Sequence, residues 1–343
     1  MNDTSADEGK PRVATIVDVA KRANVAIGTV SRYLNGFAIR RGNRVAIEEA
    51  IQTLRFIRNP AAVAMKTDVT RIVGLLAPSF DEFHGAMLEH LSRALRRHGR
   101  ALLVYCHGCD TRLMKDGLDY FSTHRIDALV MSGVEHLFDR IEQLVESGVP
   151  LVLYDNDLVG LRADRVFVNN REASMNAVRH LLDIGHRKVA VIAGEMSNSA
   201  ALERYLGYCD ALTERGISVD PQYVVSGQWT VSGGTEAAHR LLSLPVPPKA
   251  IFSANYLMTL GALSCFKDAR VRVPDDVSLV SFDDTPLFEL REPGITVVAQ
   301  PIQGIAQTIA EVIEKRLCGM PDTLSSVTGL HCQVILRGSA RPV

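Results

Sequence analysis

The sequence predicts a small all-α headpiece containing a helix-turn-helix, followed by a larger α/β body of two doubly wound parallel-sheet subdomains. Three observations support this fold class. Residues 15–35 have the spacing of two short helices around a turn, and positive charge is concentrated in the same part of the chain. From residue 71 onward, short apolar runs alternate with amphipathic stretches, a pattern typical of strands joined by right-handed helical crossovers.

Length and composition indicate several globular domains. At 343 residues the chain is too long for one ordinary core, and 47% hydrophobic with 22% charged residues is typical of folded proteins. No apolar run reaches the ~18 residues that span a bilayer, and the first residues lack the apolar core of a signal peptide. We therefore expect a cytoplasmic protein in which residues 1–12 form a disordered tail.

The first predicted helix begins after Thr15. The Thr15 hydroxyl is placed to cap this helix, and the Asp18 carboxylate suits both a capping box and the positive end of the helix. The small side chains of Val19, Ala20 and Ala23 form one face. We expect this face to let another helix approach closely.

The second predicted helix follows a break at Asn24-Val25. Val30 and Leu34 have the i, i+4 spacing of a buried side. The residues left on the outer side are Ile27, Gly28, Ser31 and Arg32. A helix of this kind can dock in the major groove of DNA, with its early outer positions at base edges and its hydroxyls and arginine at phosphates. The alternative is that both helices belong to an ordinary α-helical core.

A third helix is predicted over residues 44–54. It follows the turn Asn35-Gly36 and a basic loop, Arg40-Arg41-Gly42, which is suited to lie along a phosphate backbone. Its apolar residues have helical spacing and are expected to face the first two helices: Ile47, Ala50, Ile51 and Leu54. Residues 13–58 would then form one three-helix domain.

Charge separates this headpiece from the rest of the chain. Residues 11–66 contain ten lysines and arginines against three acidic residues, a net charge of +7, whereas the whole chain has a net charge of -1. A basic module on an acidic body is expected of a protein that binds nucleic acid through one part only. Charge runs are also typical of solvated faces, so the coincidence with the helix-turn-helix pattern strengthens the interpretation.

Residues 59–70 connect the two parts. Asn59 and Pro60 are typical of an N-cap followed by the first helical position, which predicts one short helix over residues 61–66. A helix this short is not stable alone in water. The alternative is a plain interdomain linker.

The loops after the apolar strands carry the residues expected to bind a ligand. Ligands of open parallel sheets bind beyond the carboxyl ends of the strands. Polar and aromatic residues follow six such strands, namely Phe83, His84, Asp155, Asn156, Asn198, Arg204, Trp229, Asn255 and Asp283. Rings can stack on the C-H face of a polyhydroxylated ligand while carboxylates, amides and a guanidinium hold its hydroxyls. Asp and Asn at a single loop would be weak evidence for a ligand site, because these residues are common in turns for backbone reasons.

The headpiece closely resembles the DNA-binding domain of the lactose-repressor (LacI/GalR) family. The resemblance rests on Asp18-Val19-Ala20, Thr29-Val30-Ser31-Arg32 and Leu34-Asn35, and it extends through Gly185-His186-Arg187, Phe282-Asp283-Asp284 and Gln300-Pro301. It implies an effector domain, residues 71–343, that is similar to periplasmic sugar-binding proteins and also forms the dimer. Its subdomains would comprise about 71–158 with 296–322, and 159–290 with 323–340.

The resemblance also implies roles for individual residues. Arg204, Trp229, Asn255 and Asp283 fall on effector contacts, and residues 59–70 become a hinge helix that folds on the operator and inserts an apolar wedge into the minor groove. Met65 is the candidate wedge. The full set of predicted DNA contacts is Thr15, Ile16, Ile27, Gly28, Thr29, Ser31, Arg32, Asn35, Arg40, Met65 and Lys66.

Several positions depart from the family pattern. Ala26 stands where a capping serine is common, and Ile27-Gly28 occupy the principal base-reading positions. Asn255-Tyr256 replaces the usual Asn-Asp, and Asp81-Glu82-Phe83 replaces Asn-Pro-Phe. A tyrosine in place of a carboxylate could remove a hydroxyl acceptor and tolerate an acidic ligand better. The effector class therefore remains a sugar, a sugar acid or a similar polyol.

The function implied is that of a cytoplasmic, ligand-controlled repressor that binds double-stranded operator DNA as a homodimer, without a cofactor, metal or membrane. Two alternatives compete. A periplasmic transport protein is disfavoured by the basic headpiece and the missing signal peptide. An enzyme would use Asp283-Asp284, but adjacent residues on a strand end point in opposite directions.

Cys106-His107-Gly108-Cys109 has a metal or redox spacing, yet no second Cys-x-x-Cys exists.

Overall fold

The computed structural model describes residues 14–58, 69–319 and 324–343. Its contacts divide the chain into two units, residues 1–70 and 71–343. In the described ranges, no helix is both long enough and apolar enough to cross a membrane. The predicted wedge Met65, its neighbour Lys66 and most of the hinge segment lie outside the described residues.

Between residues 14 and 58, the first unit contains three helices, α1 (Ile16–Arg22), α2 (Ile27–Leu34) and α3 (Arg41–Leu54). The predicted capping box is present, because the Thr15 hydroxyl accepts from the backbone N of Asp18 at 3.4 Å and Asp18 Oδ2 accepts from the backbone N of Thr15 at 2.8 Å. Six small or branched side chains form the core of this unit: Val19, Ala20, Ala23, Val30, Ile47 and Ala50. The three helices therefore pack through the faces that the sequence predicts.

The third helix begins three residues earlier than predicted. Arg41 and Gly42 lie in its first turn, and only Arg40, whose backbone is extended, remains of the predicted basic loop. A glycine inside a helix costs only ~1 kcal/mol relative to alanine, so Gly42 does not stop the helix. No side chain caps this end, and the sequence therefore carried no local signal for the start.

The second unit contains twelve strands and nine helices within its described ranges, in α/β alternation. The strands are β1 (Ile72–Ala77), β2 (Ala101–Cys106), β3 (Ala128–Met131), β4 (Leu151–Tyr154), β5 (Asp164–Val168), β6 (Val189–Ala193), β7 (Val224–Ser226), β8 (Ala250–Ser253), β9 (Ser278–Phe282), β10 (Thr296–Ala299), β11 (Val327–Leu330) and β12 (Gln333–Ile335). The α-helices are α4 (Glu82–Arg97), α5 (Thr111–Thr123), α6 (Phe138–Glu146), α7 (Asn170–Asp183), α8 (Ser199–Glu214), α9 (Val231–Leu242), α10 (Tyr256–Asp268), α11 (Pro286–Leu290) and α12 (Ile302–Leu317).

The strands form two six-stranded sheets. The order is β11-β5-β4-β3-β1-β2 in the first sheet and β12-β10-β9-β8-β6-β7 in the second. All pairings are parallel except that of β12 with β10. Most of the central strands are fully buried, as expected for parallel strands covered by helices on both faces. The doubly wound architecture predicted from the apolar alternation is confirmed.

The chain crosses between the two subdomains at points that differ from the prediction. Residues 164–168 pair with β4 and so belong to the first subdomain, although the sequence placed the boundary at 158/159. Residues 296–299 pair with β9 in the second subdomain, and residues 327–330 pair with β5 in the first. The physical reason is that both sheets are parallel and buried, so an apolar run carries no mark of the sheet it joins.

Candidate effector site and nucleic-acid interface

The outer side of α2 is open to solvent in the headpiece. Ile27 is 47% exposed, Gly28 and Arg32 are exposed, and Thr29 and Ser31 are partly buried. A Cβ added at Gly28 would meet no atom within 4 Å. Ala26 provides no side-chain cap for α2. The first turn of this helix therefore exposes little polar chemistry of its own.

The other predicted headpiece contacts lie in varied surroundings. The Thr15 hydroxyl is used by the capping box, and Ile16 packs partly buried against the core. Asn35 is exposed and accepts a hydrogen bond from Arg58 Nη2 at 2.6 Å, while Arg58 Nη1 donates to the Leu34 carbonyl at 2.9 Å. Arg58, which the sequence did not single out, thus ties the end of α2 to the residues after α3.

A cavity of about 390 Å³ lies between the subdomains, at the carboxyl ends of the strands. It is lined by eight of the nine residues that the sequence proposed for the effector: Phe83, His84, Asp155, Asn198, Arg204, Trp229, Asn255 and Asp283. Asn198 and Asn255 use their Oδ1 atoms to cap α8 and α10, at 3.0 and 3.1 Å. Their Nδ2 groups remain as donors for a ligand.

Asn156 is the exception, and its placement corrects the prediction. Its Nδ2 donates to the Gly133 carbonyl at 2.7 Å, and its Oδ1 accepts from the backbone N of Ser199 at 2.7 Å. Asp155 precedes it with a positive φ of 59°. The Asp155 side chain lines the cavity, and the Asn156 side chain lies at the junction between the subdomains.

Arg204 is the best-anchored charged residue of the cavity, with only 2% exposure. Its Nε donates to Asn170 Oδ1 at 2.8 Å, and its Nη1 donates to the Ala254 carbonyl at 2.8 Å. Its Nη2 lies 3.8 Å from an oxygen of Asp155. These partners fix the guanidinium plane, so a ligand meets a donor that is already oriented.

Aromatic rings surround the same guanidinium. Its central carbon lies 3.7 Å from the ring centre of Phe282 and 5.6 Å from that of Trp229. Trp229 has a φ of 58°, and its indole lies directly over Gly194 at the end of β6. A Cβ at Gly194 would fall 2.3 Å from the indole. Gly194 was missed in the sequence, where a glycine at a strand end was the only signal.

Asp283 is the acidic counterpart in the second subdomain. It is 7% exposed, has a φ of 69°, and accepts from Gln300 Nε2 at 2.7 Å. Burial raises the pKa of Asp283, although Arg204 and Gln300 oppose this rise. Its neighbour Asp284 pairs instead with Arg337, at 2.8 Å for both oxygens. The two adjacent carboxylates therefore do not work as a pair.

The first subdomain supplies a hydrogen-bonded group at the start of α4. Asp81 Oδ1 lies 2.9 Å from His84 Nδ1 and accepts from the backbone N of His84 at 3.0 Å. The Ser79 hydroxyl donates to Asp81 Oδ2 at 2.5 Å. Burial alone would raise the pKa of Asp81, but His84 and Ser79 outweigh it and bring the pKa to about 2. Asp81 is therefore ionised at neutral pH.

Two further residues of the wall were not among the predicted contacts. His107 is 4% exposed, and burial, with a smaller effect of His84, lowers its pKa to about 4. Tyr256 replaces a family carboxylate, and its hydroxyl accepts from the backbone N of Glu82 across the cleft at 3.0 Å. Burial raises the pKa of Tyr256 to about 12. Both side chains are therefore neutral at pH 7.

The cysteine motif lies at the end of a strand and in the turn that follows it. Cys106 ends β2, and Cys109 lies in the following turn with a φ of 62°. Both are free thiols. No group of three His, Cys, Asp or Glu residues suited to a metal was found in residues 14–58, 69–319 and 324–343.

Comparison with known proteins agrees with both units. Residues 15–59 match the family model of bacterial regulatory proteins, lacI family, and residues 178–340 match that of a periplasmic binding protein-like domain. The HTH-type transcriptional repressor CytR of Escherichia coli is 30% identical over 330 residues, which cover 96% of each chain.

Solved structures share this fold. A complex of the transcriptional regulator CelR with cellobiose is 27% identical, with a TM-score of 0.72, over 95% of this chain and 99% of that one. The lac repressor dimer bound to operator and the anti-inducer ONPF is 21% identical and shares the fold, with a TM-score of 0.85 over 96% and 100%. The chain therefore belongs to the lacI family of bacterial regulatory proteins, as a DNA-binding transcriptional repressor with a small-molecule effector.

Proposed function

We propose that the cavity binds a neutral, polyhydroxylated effector, and that this binding changes the affinity of a homodimer for a pseudopalindromic operator. The observation that carries the proposal is the convergence of Arg204, Trp229 and Asp283 in one cavity. The oriented guanidinium and carboxylate suit neighbouring hydroxyls, and the indole suits the C-H face of a sugar ring. The cellobiose held by CelR is a ligand of this kind.

The charges that line the cavity favour a neutral effector over a sugar acid. Asp81, Asp155 and Asp283 line it together with one guanidinium, that of Arg204. This guanidinium already serves protein acceptors through Nε and Nη1. The carboxylate of a sugar acid would be buried beside like charges without a cation of its own, which is costly. The replacement of a carboxylate by Tyr256 does not reverse this balance.

In the headpiece, we propose that α2 enters the major groove. Ile27 can meet a thymine methyl group, whereas Gly28 cannot form a hydrogen bond to a base edge. Specificity would then come from Arg32, from the region near Arg40 and from deformation of the operator centre. Met65 stays the predicted minor-groove wedge.

We further propose that the protein acts in the cytoplasm as a homodimer and catalyses no reaction. Two-fold protein symmetry matched to two operator half-sites is the geometric reason for a dimer. The separate partners of Asp283 and Asp284 argue against a carboxylate pair in catalysis. The helix-turn-helix unit argues against the alternative of a periplasmic transport protein.

The effector proposal is tested by thermal shift of the full-length protein with neutral sugars and their matching sugar acids. A tight ligand raises the Tm by mass action, and it should also alter the fluorescence of Trp229, the single tryptophan. Asp283→Asn should lose this response and keep operator binding, whereas the exposed control Asp275→Asn should keep both. Stronger stabilisation by sugar acids than by neutral sugars would contradict the proposal.

The operator proposal is tested with sites selected from randomised DNA. Phosphate contacts dominate such affinities, so binding should fall by roughly 10³-fold or more between 50 and 200 mM salt if six or more phosphates are contacted. An affinity that hardly changes over this range would refute the assignment of the headpiece. Strong base preference opposite Ile27 and Gly28 would refute the proposed source of specificity.

A further inference from the structure

The end of α2 depends on Arg58 for its last hydrogen bond. A helix leaves its final four carbonyls without partners inside the helix. In α2 the carbonyls of residues 31–33 accept from the backbone N-H groups of residues 35–37 within 3.2 Å. The fourth carbonyl, that of Leu34, accepts from Arg58 Nη1 at 2.9 Å. Arg58 therefore completes the C-terminal end of the helix.

Arg58 also fixes the orientation of the Asn35 amide. A guanidinium has only donors, so the amide atom that lies 2.6 Å from Arg58 Nη2 must be the oxygen, Oδ1. The Nδ2 group of the exposed Asn35 has no hydrogen-bond partner among the described residues. Asn35 thus presents two N-H donors on an amide whose other side is held.

The position of Arg58 is set by the end of α3. The chain turns at Arg55, which has a φ of 49°, and the backbone N of Phe56 donates to the Ile51 carbonyl at 3.0 Å. Phe56 is partly buried and packs against the headpiece core. Arg58 follows two residues later, so its side chain starts from an anchored stretch of backbone.

We propose that Arg58 is a positioning residue that directs the Nδ2 donors of Asn35 to a phosphate of the operator backbone. This inference rests on the proposed entry of α2 into the major groove. The first residues of such a helix meet base edges, and Asn35 lies eight residues, or about 12 Å, beyond Ile27 along the helix. Amide side chains away from the base edges are common phosphate donors. An amide that is already held loses less conformational entropy on binding.

The test is a double-mutant cycle of operator affinity in the full-length protein, on an operator selected from randomised DNA. Asn35→Ala should weaken binding about tenfold, as the loss of a hydrogen bond to a charged group allows. Arg58→Ala should weaken it about fivefold, because the amide is no longer held. The double variant should bind within about twofold of Asn35→Ala, because Arg58 acts only through Asn35. Losses that multiply would overturn the inference, since Arg58 would then act on DNA or on the fold without Asn35.

Two further variants separate geometry from charge. Arg58→Lys keeps the cation but lacks the planar fork that holds two acceptors, so it should bind as weakly as Arg58→Ala. Affinity equal to that of the wild type would overturn the inference. Arg55→Ala removes an exposed arginine that does not hydrogen-bond to α2 among the described residues. Its effect should multiply with that of Asn35→Ala, while circular dichroism of every variant stays unchanged.

Ethylation interference on the operator tests whether the contact is to a phosphate. Ethylation blocks individual phosphates, and one position in each half-site should hinder the wild type but not Asn35→Ala. Arg58→Ala should show weaker interference than the wild type at the same position. Identical interference patterns in the wild type and Asn35→Ala would overturn the inference.

Failure of this inference and failure of the proposed function give different results. If Arg32→Ala abolishes specific binding while the losses at Asn35 and Arg58 multiply, α2 remains the groove-binding helix and only the positioning role is refuted. If Arg32→Ala retains specific binding, the proposed entry of α2 itself fails.

Discussion

Gly194→Ala is the sharpest test of the cavity, because it adds one methyl group at a defined contact. The new Cβ would lie 2.3 and 2.4 Å from two indole atoms of Trp229. Ordinary carbon contacts begin near 3.5 Å, so the indole must move by roughly 1 Å or the strand end must shift. Overpacking of this kind typically costs about 1–3 kcal/mol. The displaced ring would also lose its contact with Arg204, a cation-π interaction worth about 0.5–2 kcal/mol.

We therefore expect Gly194→Ala to weaken effector binding at least tenfold and to shift the Trp229 emission. Intrinsic fluorescence reports this ring alone, since the chain has one tryptophan. Gly329→Ala is the matched control, because a Cβ there meets no atom within 4 Å. An unchanged emission maximum together with unchanged effector affinity would refute the placement of the indole over Gly194.

Three further perturbations test the headpiece and the buried histidine. Arg32→Ala should abolish specific operator binding while circular dichroism stays unchanged, and retained binding would mean that another helix face meets DNA. Thr15→Ala removes the capping box and should lower the free energy of unfolding of the headpiece by about 1 kcal/mol, measured by urea titration; no change would show that the cap is replaced by solvent. Because the folded pKa of His107, about 4, is below its unfolded value near 6.5, the stability it contributes is present above pH 6.5 and is lost towards pH 4. Between pH 7 and pH 5, the free energy of unfolding of the wild type should fall by about 2 kcal/mol more than that of His107→Gln. Equal decreases in the two proteins would contradict a buried neutral ring.

The features that the sequence predicted well are those decided over a few residues. The capping box of Thr15 and Asp18, and the i, i+4 pair Val30 and Leu34, each depend on one turn of helix. Residues that follow buried strands converge because parallel sheets place these strand ends at one edge. The start of α3 was missed because no side chain caps it.

What could not be predicted depends on contacts between distant residues. Asp155 and Asn156 are adjacent polar residues, and contacts with the remote Gly133 and Ser199 hold Asn156 away from the cavity that Asp155 lines. His107 lies in a motif whose spacing suggested metal or redox chemistry, yet in the fold it is a buried residue of the cavity wall. The assignment of strands to the two sheets depends likewise on pairings between remote segments.

Contacts across the cleft indicate how effector binding can reach the operator. The backbone N of Glu82 donates to Tyr256, and that of Ser199 donates to Asn156, so each subdomain already holds the other through main-chain donors. An effector that touches Asp283 on one side and His84 on the other adds contacts that exist only while the two walls face each other. We therefore expect the effector to bind more tightly when the two walls face each other than when they have moved apart. The coupling free energy that such a difference in affinity provides is typically ~1–3 kcal/mol. Because Tyr256 also bridges the two walls, we expect the effector to reinforce a contact that the chain itself makes.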